Sequence, residues 1–298
     1  MKMFDLIGRS KTWLMLSGCL VIVAIISVAS FGLNFGIDFT GGSLLEIEFE
    51  SSVSEAEIRT KMQDLGYAAS VQESGETGML IRTGTISQAE QDTIVETLRN
   101  AHGSVEVMRF ESVGPVIGEE LRRSSISAVA LLLVLIVLYV AWAFRKVSKP
   151  ITSWKYGLLT IVAAAHDIIL PVGVFAALGH FYGYQIDTAF IAALLTIMGY
   201  SINDTIVVFD RTRENLLNQR HSDASFASIV NTSVMQSFTR SVNTSFTTLL
   251  VLLAIFFFGG ETTQSFVLAL IIGILSGAYS SLFFASPLLV AWERKGRQ

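Results

Sequence analysis

Long stretches without charge alternate along this chain with one charge-rich block of about ninety residues. Trp13–Phe31 holds no charged residue over nineteen positions, enough to cross the hydrocarbon core of a bilayer. Five further apolar runs follow the charged block: Ser125–Phe144, Gly157–Gly179, Thr188–Phe209, Thr244–Gly260 and Ser265–Trp292. Lys2, Arg9 and Lys11 precede the first run, a start that a signal peptide shares. Its length and the lack of an A-x-A-like cleavage site favour a retained span. The pattern predicts six membrane-spanning helices.

Residues 34–123 switch to shorter periods. Leu45, Ile47 and Phe49 alternate with acids over Ser43–Glu50, which predicts a half-buried strand. Ser54–Leu65 opens with Ser54 and Glu57 in capping-box spacing and continues with Ile58, Met62 and Leu65 at helical steps. Tyr67–Gln72 and Met79–Thr83 read as strands around a turn-rich Glu73–Gly78. Ser87–Asn100 reads as a second helix with Ile94, Val95 and Leu98 on one face, and Val105–Phe110 as a last strand. The order strand-helix-strand-strand-helix-strand predicts a small ferredoxin-like α+β domain, closed by Val113-Gly114-Pro115.

Charge adds an orientation. The 298 residues are 51% hydrophobic, with a mean hydropathy of +0.56, the composition of a polytopic membrane protein. The net charge of −4 divides unevenly: residues 32–123 carry sixteen acids against seven bases, and the rest nine acids against fourteen bases. Those bases are dispersed at helix ends, which excludes a nucleic-acid surface. They fall at Arg145, Lys146, Lys149 and Lys155, at Arg211, Arg213, Arg220 and Arg240, and at Arg294, Lys295 and Arg297. The connections His180–Asp187 and Glu261–Gln264 have no Lys or Arg. The positive-inside rule then makes both termini cytoplasmic and the acidic block extracytoplasmic. The expected division is 1–33 for the cytoplasmic N-terminus and first span, 34–123 for the outer domain, 124–293 for a five-helix bundle and 294–298 for a cytoplasmic tail. Cys19 is the single cysteine, so no intrachain disulfide is possible.

A few polar residues interrupt the spans. Asp204 stands with Asn203 in the fourth run, and a carboxylate at that depth ordinarily faces a protein interior or a water path. Ala193, Thr196, Tyr200 and Asp204 recur at three- and four-residue steps, and Ala192, Thr196, Gly199 and Asn203 form an overlapping small-polar stripe that allows close helix approach. A structural ion pair or helix-end anchor is the bland alternative for Asp204. In the third run, His166 and Asp167 precede Pro171 and read equally as an ionisable cluster on a path or as a buried polar pair locking helices together. In the fifth, Ser237, Arg240, Ser241, Thr244, Thr247 and Thr248 make a polar stripe, with Arg240 either functional or a snorkelling interfacial cation. Asp210 reads as solvated and Asp187 as a helix N-cap. Gly273, Gly277, Ser280 and Ser281 line one side of the sixth run as a packing seam, which a half-bundle is expected to leave for a partner chain.

Nucleotide-loop GxxxxGK[ST], zinc HExxH and nucleophile-elbow GxSxG motifs are absent, as is the glycine–aspartate motif of intramembrane aspartyl proteases. No enzyme, cofactor or metal is predicted, and an energised machine of this kind must draw on an ion gradient or a partner.

The motifs resemble those of the SecD/SecF family of accessory subunits of the bacterial Sec translocon. The resemblance rests on FGIDFTGG at Phe35–Gly42, VGP at Val113–Pro115, AHD at Ala165–Asp167, the stretch Ile186–Asn215, RSVNTSFTTLLVLL at Arg240–Leu253 and GAYSSLFFASPLL at Gly277–Leu289. It covers nearly the whole chain, and the length is similar to that of the unfused SecF branch rather than SecD or a SecD–SecF fusion. It implies one half of a resistance-nodulation-division-like transporter fold in the plasma membrane, pairing with SecD. It implies action beside the SecYEG channel on a translocating preprotein, using the proton-motive force after SecA has driven ATP-dependent steps. It implies proton-path residues at Asp204 and Arg240, the first accepting the proton and the second holding it ionised between cycles. Asn203, Thr244, Thr247 and Thr248 are then expected to line that path, with His166 and Asp167 as a secondary polar pair. A small-solute half-exporter and a passive scaffold for SecD are the rival functions; preprotein dependence and proton dependence separate them from the first reading.

Overall fold

The structure, a computed structural model, describes residues 5–143, 152–218 and 224–295; Arg145, Lys146, Lys149, Arg220 and Arg297 lie outside the described residues. Residues 34–127 and 185–188 form one compact unit, and the remainder forms a second.

In the first unit, β1 (Gly42–Phe49) is central, flanked by β3 (Gly78–Thr83) and β4 (Val105–Val113), with β2 (Ala69–Ser74) outside β3. The sheet order is β2-β3-β1-β4 and every pairing is antiparallel. Helices α3 (Glu55–Asp64) and α4 (Gln88–His102) complete the ferredoxin-like topology. The alternation in β1 works as read: Leu45, Ile47 and Phe49 are buried against Ile58 and Met62 of α3 and Ile94 and Leu98 of α4, while Glu48 is exposed. Full burial of each such side chain contributes about 1.5–3 kcal/mol. Ser54 accepts the Glu57 amide, and Ser87 with Glu90 forms a complete capping box. The amide and hydroxyl of Ser87 hold the Glu90 carboxyl below its ordinary range.

Two details differ from the expectation. Strand β4 runs three residues past Phe110, and a bulge opposite Glu46 and Ile47 exposes Met108. Pro115 does not merely end the domain: it opens helix α5 (Pro115–Ala143), where its missing N–H costs nothing.

The FGIDFTGG segment is a joint. Ile37–Thr40 makes a one-turn helix, α2. Gly41 then takes φ 72°, ψ 163°, and a Cβ there would lie 2.9 Å from Pro115 Cα. Gly42 has φ 131°, and its Cβ would lie 2.7 Å from the Thr83 carbonyl oxygen. The two glycines thus seat the start of α5 and the end of β3 against the first strand.

The second unit holds the membrane helices: α1 (Ser10–Phe31), most of α5, α6 (Ser153–Tyr182), α7 (Thr188–Asn218), α8 (Phe226–Phe258) and α9 (Glu261–Ser280). A π-helical segment, Ser281–Ala285, joins α9 to α10 (Ser286–Lys295). Six stretches among the described residues are long and apolar enough to cross a membrane. Ile22, Val23, Leu131, Leu138, Phe246 and Val251 point outward, the reverse of a water-soluble fold and the arrangement hydrocarbon requires. Several polar groups lie inside, Asp167, Ser201, Asp204, Ser241 and Ser280 among them. Helix α6 lies close against α1, where Gly173 meets Ala24 and accepts the Ser27 hydroxyl at 2.7 Å. Helix α8 begins eighteen residues before Thr244, because its first turns are amphipathic: Ile229, Val230, Val234 and Ser237 are buried beneath an exposed polar face. Asn231 of this extension accepts the amides of Leu6 and Ile7 at 2.9 and 3.1 Å, tying down the start of the chain.

Candidate functional site

Among the described residues three carboxylates are buried in the second unit: Asp167, Asp204 and, near the end of α10, Glu293. Asp167 on α6 is fully buried. It accepts Ser276 at 2.7 Å and Ser280 at 2.6 Å from α9, Ser201 from α7, and the Nδ1 of its neighbour His166 at 2.9 Å. The His166 ring also stacks on Phe284, centroids 4.8 Å apart. Four donors around one carboxylate leave it no unmet demand, and they brace α6, α7 and α9 together. Pro171 lies inside α6 and lacks the amide that would bond the Asp167 carbonyl one turn back, so the backbone ladder is interrupted beside this site.

Asp204 on α7 is 9% exposed and less saturated. It accepts Ser241 of α8 at 2.6 Å and Ser281 of the π segment at 2.5 Å. The Ser281 hydroxyl also lies 3.2 Å from the Ala278 carbonyl. If Asp204 takes a proton, that hydroxyl has a second acceptor within reach and neither group is stranded. The π segment makes this possible: Ser280 and Ser281 are consecutive, yet serve Asp167 and Asp204 respectively. Insertions of this kind recur at functional positions.

The remaining predicted residues are not gathered around Asp204. Arg240 is exposed and, among the described residues, makes no ion pair with it. It borders a cleft of about 350 Å³ with Tyr139, Ile206, Asp210, Arg213 and Ser237. Asn203, Thr244 and Thr247 are exposed and Thr248 half-buried; the three threonine hydroxyls bond carbonyls of their own helix. The polar stripe read on the fifth span therefore splits, with Ser237 and Ser241 inward and Arg240, Thr244 and Thr247 outward. Asp210 is exposed and pairs with Arg213 at 3.0 Å.

The seam on the sixth span requires a correction. Gly273 packs on Ile197 and Gly277 on Ser201, both of α7, and Ser280 and Ser281 are fully buried. The chain covers this seam itself. The stripe left open is the other small-polar one, Ala192, Thr196, Gly199 and Asn203 on α7. The sixth-span serines that bond the carboxylates were legible only as small residues, although the spacing of Ser276, Ser280 and Ser281 fits a polar network as well as a seam; Ser241 was legible as part of the fifth-span polar stripe.

Known proteins share this architecture. The model for "Protein export membrane protein SecD/SecF, C-terminal" matches residues 93–295, and that for the SecD/SecF GG motif matches residues 26–53. A protein translocase subunit SecF from Thermobaculum terrenum is 44% identical over 98% of this chain and 95% of its own length. The crystal structure of SecDF from Thermus thermophilus superposes with a TM-score of 0.86 at 37% identity, over 98% of this chain. The chain spans about two fifths of that SecDF, 39%. A SecDF structure in a super-membrane-facing form gives 0.72 at 36% identity, over the whole of this chain and 40% of that one. With six membrane-length helices among the described residues and a carboxylate network buried between α6, α7, α8 and α9, the chain belongs to the SecD/SecF family of protein export membrane proteins, among its SecF-type translocase subunits.

Proposed function

We propose that this chain pairs with SecD in the plasma membrane and uses the proton-motive force to complete preprotein translocation through SecYEG after SecA-driven steps. The observation that carries the reading is Asp204, a membrane carboxylate held by two serine hydroxyls with a spare acceptor beside one of them. Such a group exchanges a proton at little structural cost, whereas the four-donor Asp167 is a brace. Arg240 borders the cleft beside α7 and serves as the mobile countercharge that meets Asp204 when the helices shift.

The uncovered polar face supports the partnership. Asn203, Arg240, Thr244 and Thr247 face outward on spans that otherwise present hydrocarbon, and polar groups in lipid are costly. Beside them, Thr196 and Gly199 permit close helix approach. SecD, which the fused relatives carry in the same chain, is the cover. The Thermus SecDF is described as translocon-associated, and the same association is proposed here.

The basic connections support a topology with residues 34–123 outside and both termini in the cytoplasm. In a chain with Cys19 replaced, an impermeant thiol reagent on intact cells is expected to label Glu76→Cys in the β2–β3 turn and to spare Asn218→Cys; the reverse pattern inverts the topology.

The function is tested in proteoliposomes holding SecYEG, SecA and the complex of this chain with SecD. Imposing a proton gradient is expected to raise the yield of translocated preprotein several-fold over vesicles without the complex. Equal yields with and without the gradient refute the reading.

A further inference from the structure

The FGIDFTGG joint holds the residues that open α7. The residues before α7 belong to the sheet unit. Ile186 pairs with Phe35 in a parallel bridge, donating to the Asn34 carbonyl at 2.8 Å while its own carbonyl accepts Gly36 N–H at 2.8 Å. Asp38 then accepts both the amide and the hydroxyl of Thr188, at 2.9 and 2.6 Å. Thr188 is the first residue of α7, so a carboxylate from the far end of the sequence caps that helix. The free N–H groups and the positive end of the helix dipole both favour it.

Helix α7 continues without proline for 31 residues. Asp204 lies sixteen residues beyond Thr188 on the same continuous helix, about 24 Å at ~1.5 Å per residue. Of the two continuous helices that leave the sheet unit for the bundle, α5 has no charged residue between Ser124 and Ala143, while α7 carries the exchangeable carboxylate. A shift or rotation of α7 that accompanies protonation acts directly on whatever holds its first turn.

We infer that Asp38 is the positioning residue that couples a change at Asp204 to the sheet domain, by gripping the first turn of α7. The inference rests on the proton-exchange reading of Asp204. In this reading Asp38 transmits through the helix rather than exchanging the proton itself. Asn keeps a capping oxygen and Ala does not, so the two substitutions separate grip from charge.

The test uses the full complex with SecD, SecYEG and SecA in proteoliposomes, reading gradient-driven preprotein translocation and, with an internal pH dye, proton flux. For Asp38→Ala, stimulation by the gradient is expected to fall at least ten-fold, with complex yield unchanged and proton flux within two-fold of wild type. Asp38→Asn is expected to restore at least half of the stimulation. Wild-type stimulation in Asp38→Ala overturns the coupling role. So does a parallel loss of yield and flux that Asp38→Asn repairs equally, since that is the mark of a purely structural cap. Asp204→Asn, measured alongside, is expected to lose both flux and stimulation; if it keeps both, the reading of Asp204 fails instead, and the Asp38 inference falls with it.

Discussion

Asp204→Asn is expected to reduce gradient-stimulated translocation to the gradient-free level while the protein accumulates normally with SecD. The substitution keeps size and shape. The amide oxygen still accepts one serine hydroxyl, and Ser281 can turn to the Ala278 carbonyl 3.2 Å away, so the structural cost stays near the ~1 kcal/mol of one lost hydrogen bond. The functional cost is categorical, because an amide cannot carry a proton at any working pH. One charge moved across the full membrane potential is worth about 2.3 kcal/mol per 100 mV, enough to bias two conformers a few kcal/mol apart. Removing the exchangeable charge removes that bias. Asp204→Glu is expected to keep partial activity, and Arg240→Lys less than its retained charge suggests, because the guanidinium fork is lost. Asp210→Asn is the control: its pair with Arg213 is exposed, and such pairs contribute about 0–1 kcal/mol. The measurement is preprotein release from membranes under an imposed gradient, with expression matched. Wild-type stimulation in Asp204→Asn would leave a passive scaffold as the better account.

The same residues show how far the chain could be read in advance. The spans were legible because hydrocarbon forbids charge over about twenty residues, and the sheet domain because Leu45, Ile47 and Phe49 alternate with acids. Asp204 was legible for the converse reason, as an expensive residue needing an explanation. Its partners were not. Serine is cheap anywhere in a membrane helix, so Ser241 was visible only as one member of a polar stripe and Ser281 only as part of a small-residue seam, and the π segment that presents Ser281 beside Ser280 has no local sequence code. The start of α8 was hidden because its first turns bury one face only, a helical pattern without a continuous apolar run. Which of two small-residue stripes faces a partner was also undecidable from spacing. Gly273 and Gly277 pack on Ile197 and Ser201, a tertiary fact, and that leaves the Thr196–Gly199 stripe open. The glycine pair after Asp38 was visible as a motif, but its need for glycine is set by Pro115 and Thr83, some seventy and forty residues away.

That need makes Gly41→Ala a substitution expected to damage the fold severely. Gly41 sits at φ 72°, ψ 163°, a region that side chains essentially never occupy and that costs of order 1–3 kcal/mol to enforce. A Cβ there would also lie 2.9 Å from Cα and 3.1 Å from N of Pro115. Those are backbone atoms at the first turn of α5 and cannot rotate away as a side-chain tip would. Relieving the contact means displacing the start of α5 or the one-turn helix before Gly41, and forced overpacking typically costs a further ~1–3 kcal/mol. Together about 2–6 kcal/mol is removed from a domain whose total stability is on the order of 5–15 kcal/mol. Gly84→Ala is the matched control, since Gly84 has no left-handed φ and open space where its Cβ would go. The expected result is a marked fall in the amount of intact Gly41→Ala protein in membranes, with cleavage of residues 34–127 at protease concentrations that leave the wild type and Gly84→Ala whole. Wild-type accumulation and protease resistance in Gly41→Ala would show that the joint is soft, and that α5 is positioned by its packing in the bundle rather than by the two glycines.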